Sequence, residues 1–143
     1  MFTIGQLAKA SKVKVDTLRY YERTNLLKPI SRSYAGYRIY DQESVNRVRF
    51  IKKAHSLGFS LKEVGQLLKF DGSDEATAGD VLAITKQKIS QQDKKIKELK
   101  EIENILKRLA EQCSGKGPAH ECPILRYLYP LSNSECDKKE GEA

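Results

Sequence analysis

No apolar run in the sequence approaches the roughly eighteen residues that a membrane-spanning helix requires. Of the 143 residues, 39% are hydrophobic and 31% are charged. The N-terminus, Met1-Phe2-Thr3-Ile4-Gly5, lacks the basic segment and long apolar core of a secretory signal. Cysteine is scarce and odd in number, with Cys113, Cys122 and Cys136 all in the last third. That count argues against a disulfide framework and for reduced, metal-competent thiols, although small buried residues would look the same. The sequence also lacks a phosphate-binding glycine loop, a Ser/His/Asp arrangement, and carboxylate pairs other than those on solvated helix faces. These absences predict a soluble cytoplasmic protein that is not an enzyme.

The charge is present but unevenly divided. Residues 1–70 carry 14 Lys and Arg against 5 Asp and Glu, whereas residues 71–143 carry 12 against 14, and the whole chain is +7. A basic half of this kind suits nucleic acid or an anionic membrane surface. A membrane-surface helix would gather its basic residues in one amphipathic stripe. Here they follow a different pattern.

Thr3-Ile4-Gly5-Gln6 has the form of a capping box and should open a helix with Ile4, Leu7 and Ala8 inward. After a turn at Ser11-Lys12-Val13, Val15 to Glu22 reads as a second helix, with Leu18 and Tyr21 inward. Two short helices joined by a tight turn suggest a helix-turn-helix. Ser31 to Tyr40, rich in Tyr and Arg and punctuated by Gly36, reads as a hairpin. A basic, aromatic hairpin at that place makes the unit a winged helix, whose Arg32 and Arg38 could reach phosphates while some tyrosines, Tyr40 first, cover the core. Asp41 opens a helix to about Leu57 with Val45, Val48, Ile51 and Ala54 or His55 on one face, stopped by Gly58. Ser60-Leu61-Lys62-Glu63 is a further capping box, starting a helix through Leu68. Residues 71–79 read as a polar linker.

From Asp80 to about Gln112 there is neither proline nor glycine. Leu82, Ile89 and Ile96 recur at intervals of seven, as do Leu99, Leu106 and Cys113. A helix of that length spans roughly 50 Å, too long to bury its stripe against a small domain, so a coiled-coil dimer is expected. Ile102 and Ile105 compete for the inward position near Glu103. Beyond the helix, Cys113 and Cys122 bracket a Gly/Pro loop. Cys122-Pro123 starts a short helix, and a helix start favours the thiolate. Two soft ligands around a small loop suit a thiophilic ion. His120 and Cys136 are further candidate ligands, more readily read as a solvated loop residue and a spectator in a polar, disorder-prone tail.

Taken together, Ile4-Gly5-Gln6-Leu7-Ala8, Thr17-Leu18-Arg19-Tyr20-Tyr21-Glu22, Gly36-Tyr37-Arg38-Ile39-Tyr40, Leu57-Gly58-Phe59-Ser60-Leu61 and Cys113 to Leu125 resemble the MerR family of metal-responsive transcriptional regulators. The resemblance runs from Thr3 to about Leu128. It implies a mainly α fold: a winged helix-turn-helix with a small hairpin wing (1–70), a linker (71–79), a long antiparallel coiled-coil dimerisation helix (80–112), a metal-binding loop and short helix (113–130), and a disordered tail (131–143). The dimer seam would comprise Leu82, Ile89, Ile96, Leu99 and Leu106. It also implies a homodimer on palindromic double-stranded promoter DNA, distorting it on metal binding so that RNA polymerase engages and efflux or resistance genes are activated. Thr17 and Arg19 would face the groove, with Tyr20, Tyr37, Arg38 and Lys62 holding phosphates and Lys14 and Arg32 completing the DNA-contacting set. Divalent-metal members carry a further cysteine at the start of the dimer helix, where this chain has Ala78. Its loss favours Cu(I), Ag(I) or Au(I), while the loop length with His120 is nearer that of sensors of Zn, Cd, Pb or Hg. A thiol redox or electrophile sensor of the same fold, and an architectural DNA-binding dimer, remain open.

Overall fold

The computed structural model describes residues 1–130; the expected disordered tail, 131–143, and Cys136 within it lie outside the described residues. The chain forms two compact units, Met1–Gln92 and Asp93–Ala143. Among the described residues no helix is long and apolar enough to cross a membrane.

In the first unit, α1 (Ile4–Ser11) starts at the Thr3–Gln6 capping box and α2 (Val15–Arg23) follows a turn at Lys12. A two-stranded antiparallel hairpin, β1 (Ser31–Arg32) and β2 (Arg38–Ile39), pairs Ser31 with Ile39 and Arg32 with Arg38. Its turn needs a left-handed residue, supplied by Gly36 at φ +88. Phe2 and Tyr40 exchange backbone hydrogen bonds at 2.8 Å, which ties the N-terminus to the hairpin. Then come α3 (Gln42–Ser56) and α4 (Leu61–Asp71), the latter opened by the Ser60–Glu63 box. Leu7, Leu18, Leu27, Tyr40, Val45, Val48, Ile51 and Val64 are the fully buried side chains of this core. Each such aliphatic side chain contributes about 1.5–3 kcal/mol by leaving water.

The expected linker, 71–79, is too long at both ends. Leu67, Leu68 and Phe70 continue the apolar face of α4, which runs to Asp71 and closes on Gly72, whose N–H donates to Leu68 O at 3.2 Å. The long helix α5 (Ala78–Gln112) begins two residues earlier than expected. Thr77 N–H donates to Asp80 at 2.9 Å and Asp80 N–H to the Thr77 hydroxyl at 3.3 Å, a reciprocal cap.

The expected boundary before residue 80 also moves, to 92/93. The first turns of α5 belong to the N-terminal unit because their inner face is held there. Ile84 packs on the core cluster. Lys88, only 8% exposed, pairs with Glu63 at 2.9 Å, is bonded to Gln91 at 2.7 Å and lies 5.8 Å from the Phe59 ring centroid. At Gly58, φ is +96, a conformation that favours glycine, and a Cβ there would lie 2.1 Å from Gln92 Nε2, so that side chain would have to move aside. Leu82 and Ile89, on the other side of the same turns, are exposed.

The Ser60 backbone N–H and the Lys88 ammonium hold the Glu63 carboxyl down at about 2. A carboxylate with a folded pKa below its ordinary 4.5 contributes stability that is full above that value and lost as pH falls towards 2. Glu63→Gln, which leaves the Lys88 charge unpaired, should therefore lower the melting temperature at neutral pH. The gap between variant and wild type should close as both are acidified to about pH 2. A gap independent of pH would remove the ion pair as its cause.

Candidate functional site

Two sets of residues carry chemistry, one in each unit. In the N-terminal unit, α2 presents Lys14 as its exposed N-cap and Thr17 half-buried, with Arg19 and Tyr20 exposed. Leu18 and Tyr21 anchor the opposite face. Arg19 is loosely paired with Asp16 at 3.8 Å, both side chains being open to solvent, and such a surface pair holds weakly. Arg23 lies over the Tyr20 ring at 5.8 Å, a contact the sequence did not suggest.

The wing brings its residues to the same place. Arg19, Arg32, Tyr37 and Arg38, with Thr3 and Ile4, line one cleft of about 190 Å³. Arg32 donates to Gly36 O at 3.0 Å and so stiffens the turn, while Tyr37 is 70% exposed. Arg38 is committed inward as well, at 3.2 Å from the Glu22 carboxylate, which also accepts a hydrogen bond from the Tyr40 hydroxyl. The expected role of Arg38 as a phosphate holder is therefore shared with a structural one, linking wing, α2 and core. Lys62, exposed on the first turn of α4, lines a separate cleft with Arg47 and Lys69. The structure thus gathers Arg19, Arg32, Tyr37 and Arg38 and leaves Lys62 apart.

In the C-terminal unit, α5 ends at Gln112 and delivers Cys113 just beyond its last turn, with Cys113 N–H donating to Ala110 O at 3.3 Å. Gly115 and Gly117 take φ +76 and +87, conformations that reverse the loop at little steric cost. A single 3-10 turn (Ala119–Glu121) leads to α6 (Pro123–Leu128), with Cys122 as its N-cap and Pro123 at the first helical position. The loop thereby returns Cys122 to Cys113, with Sγ to Sγ 3.1 Å and both thiols half-buried and unoxidised.

That arrangement prepares a ligand. The Cys122 thiol is held below its ordinary value, first by the Cys113 thiol beside it and then by the backbone N–H of Ile124, with burial opposing and the Leu125 N–H adding the least. A thiolate is the form that binds soft metals. His120 does not join the pair: it is exposed and lies 3.9 Å from Glu121. Among the described residues no group of three or more His, Cys, Asp or Glu is placed to hold a metal ion. A dithiolate donor set fits a thiophilic ion. Leu109, one turn before the pair, is buried, whereas Leu106, which the heptad reading placed in the dimer seam, is exposed in the isolated chain.

Ile96, Leu99, Ile102 and Leu106 are all more than half exposed in the isolated chain, as are Leu82 and Ile89. Large apolar side chains at helical spacing form a stripe along α5 that is suited to packing against another apolar face.

Comparison with known proteins gives concordant results. Residues 2–71 match the family model described as MerR HTH family regulatory protein, and residues 45–109 match the one described as MerR, DNA binding. The mercuric resistance operon regulatory protein of Bacillus cereus is 42% identical over 127 residues, 89% of this chain and 96% of that protein. Among solved structures, the transcription regulator PbrR691 from Ralstonia metallidurans CH34 in complex with lead(II) is similar at a TM-score of 0.78 and 34% identity, covering 90% of this chain and 100% of that one. The dual function regulator MerR of Bacillus megaterium MB1 in complex with mercury(II) gives a TM-score of 0.66 at 40% identity, covering 89% and 98%.

Proposed function

The chain belongs to the MerR family of regulatory proteins, and on that premise we propose that it is a metal-responsive transcriptional regulator whose ligand is a thiophilic metal ion held by Cys113 and Cys122. The observation that carries this reading is the approach of the two thiols to 3.1 Å, with Cys122 biased towards thiolate. When bound, the ion would supply a soft, electrophilic crosslink between the end of α5 and the start of α6. The cysteine side chains do the rest: they lose their protons and close the loop on one conformation.

The regulator would act as a homodimer through the exposed stripe of α5, with α2 of each copy in a major groove of promoter DNA. There Thr17 and Arg19 would meet bases, and Lys14, Tyr20, Arg32, Tyr37, Arg38 and Lys62 the backbone. Metal can change the output only if it favours the conformation that deforms the DNA for RNA polymerase. A protein acting on promoter DNA works in the compartment that holds it.

Among the described residues no third donor stands beside the pair, and Ala78 occupies the place where a further cysteine would start the long helix, which together favour Cu(I), Ag(I) or Au(I). A second reading, supported by the relatives named for mercury and by those solved with lead(II) and mercury(II), is a divalent ion. A third reading uses the same sulfur pair as a dithiol redox sensor. Competitive titration of the reduced protein with Cu(I) against Zn(II), Cd(II), Pb(II) and Hg(II), read by thiolate absorption and stoichiometry, separates them. Tight Cu(I) binding through Cys113 and Cys122 is expected. Preferential divalent binding would overturn the choice of ion, and no binding at all would overturn the metal reading.

A further inference from the structure

One cluster of four cations in the N-terminal unit is made of residues outside the set assigned above. Lys12, Arg49, Lys52 and Lys53 line an open cleft of about 360 Å³ between the end of α1 and the second half of α3, with Ala10, Ser11 and Ser56. No acidic residue lines it, and none of the four cations forms an ion pair among the described residues. Two are partly used: Arg49 donates to Ala10 O at 3.1 Å and Lys52 to Lys12 O at 2.9 Å. These bonds satisfy carbonyls at the end of α1, and that alone would justify Arg49 and Lys52. It does not justify Lys12 and Lys53, whose ammonium groups have no acceptor in the unit. Arg49 also keeps N–H donors to spare after one bond, as does Lys52.

We propose that this cleft is a second DNA-backbone contact, gripping the phosphates that flank the groove entered by α2. The proposal rests on the DNA-binding reading above and extends it to residues outside α2 and the wing. Continuity favours DNA as the occupant. Lys12 is where the chain leaves α1, two residues before Lys14 caps the start of α2. Duplex DNA carries a charge about every 1.7 Å along its axis. A cation cluster beside a helix docked in the groove therefore meets phosphates. The cleft's openness and its spread of cations suit an extended polyanion better than one small anion. Four cations packed without counter-charge repel one another, a cost that a polyanion relieves on binding.

The test measures binding to a mixed-sequence DNA duplex as a function of salt for wild type, Lys12→Asn/Lys53→Ala, Lys53→Ala and Lys53→Glu. Asn is chosen at position 12 because Lys12 has φ 59, a conformation Asn tolerates. Unchanged helicity and melting temperature verify that the variants fold. For the double variant, the slope of log affinity against log salt should fall by about 1 for each cation removed per bound copy, with affinity lowered alike on all sequences. Lys53→Glu should weaken binding more than loss of that cation alone. An unchanged slope for all the variants would overturn the proposal. So would loss of binding to polyglutamate without loss on the duplex, which would make the cleft a docking site for an acidic protein. Wild type that shows no salt-dependent duplex binding would instead overturn the DNA-binding reading itself.

Discussion

Cys122→Ser is expected to lower the affinity for a soft metal ion by well over about 100-fold while leaving DNA binding at its wild-type level. Loss of a group that merely orients a metal ligand already costs about 10- to 100-fold, and here a ligand itself is removed. A serine hydroxyl does not ionise near neutrality and is a hard donor, so it replaces neither the charge nor the softness of the thiolate. The loss should be larger than from an ordinary surface cysteine because Cys122 is favoured as thiolate by the adjacent Cys113 and by the Ile124 and Leu125 amides. Cys113→Ser removes both a donor and that support, and should do at least as much. The residues proposed to contact DNA lie in the other unit and keep their own core, so duplex affinity serves as the control. A metal titration with an unchanged endpoint in either variant would take that cysteine out of the site.

The second large effect is expected at Ile96, whose side chain is 56% exposed in the isolated chain. In the proposed dimer each Ile96 faces apolar side chains, and Ile96→Glu would place an uncompensated carboxylate from each copy in the seam. Burying an unpaired charge costs several kcal/mol even after relaxation, comparable with the whole stability of a modest helix pair. Sedimentation should show monomers. Affinity for a two-half-site duplex should fall by about 100- to 10,000-fold as avidity is lost. The melting of the N-terminal core, to which Ile96 does not belong, should be spared. A dimer that survives the substitution would displace the seam from Ile96, towards the register that Ile102 and Ile105 suggest.

Much of the architecture was legible because it is written locally. The capping boxes at Thr3 and Ser60, the inward Leu18 and Tyr21, the Gly36 turn and the Pro123 helix start all appear where their residues predict. The Thr77–Asp80 cap was equally local but hidden, since Ala78 and Gly79 give no apolar periodicity and Asp stands where Glu or Gln is the usual signal. Lys88 was illegible for a different reason. A lysine on a long charged helix reads as solvated, and its burial depends on Glu63 and Phe59, twenty-five or more positions earlier. The same holds for Arg38, read as free to meet phosphate yet bound to Glu22. At the loop between the two cysteines the sequence supplied both thiols and the helix start, whereas the 3.1 Å approach and the separation of His120 required the folded loop.

The segment 72–76 lies between two independent sets of anchors. Gly72 closes α4, while α5 is started by its own Thr77–Asp80 cap and then fixed by Lys88 on Glu63 and Gln92 against Gly58. The rotational phase of α5 is thus set without reference to the length of chain that leads into it. Gains and losses of residues in this stretch would leave the seam facing the same way. Length variation can therefore accumulate here at little cost, while one residue added beyond Gln92 would rotate the part of the apolar stripe that follows it by about 100°.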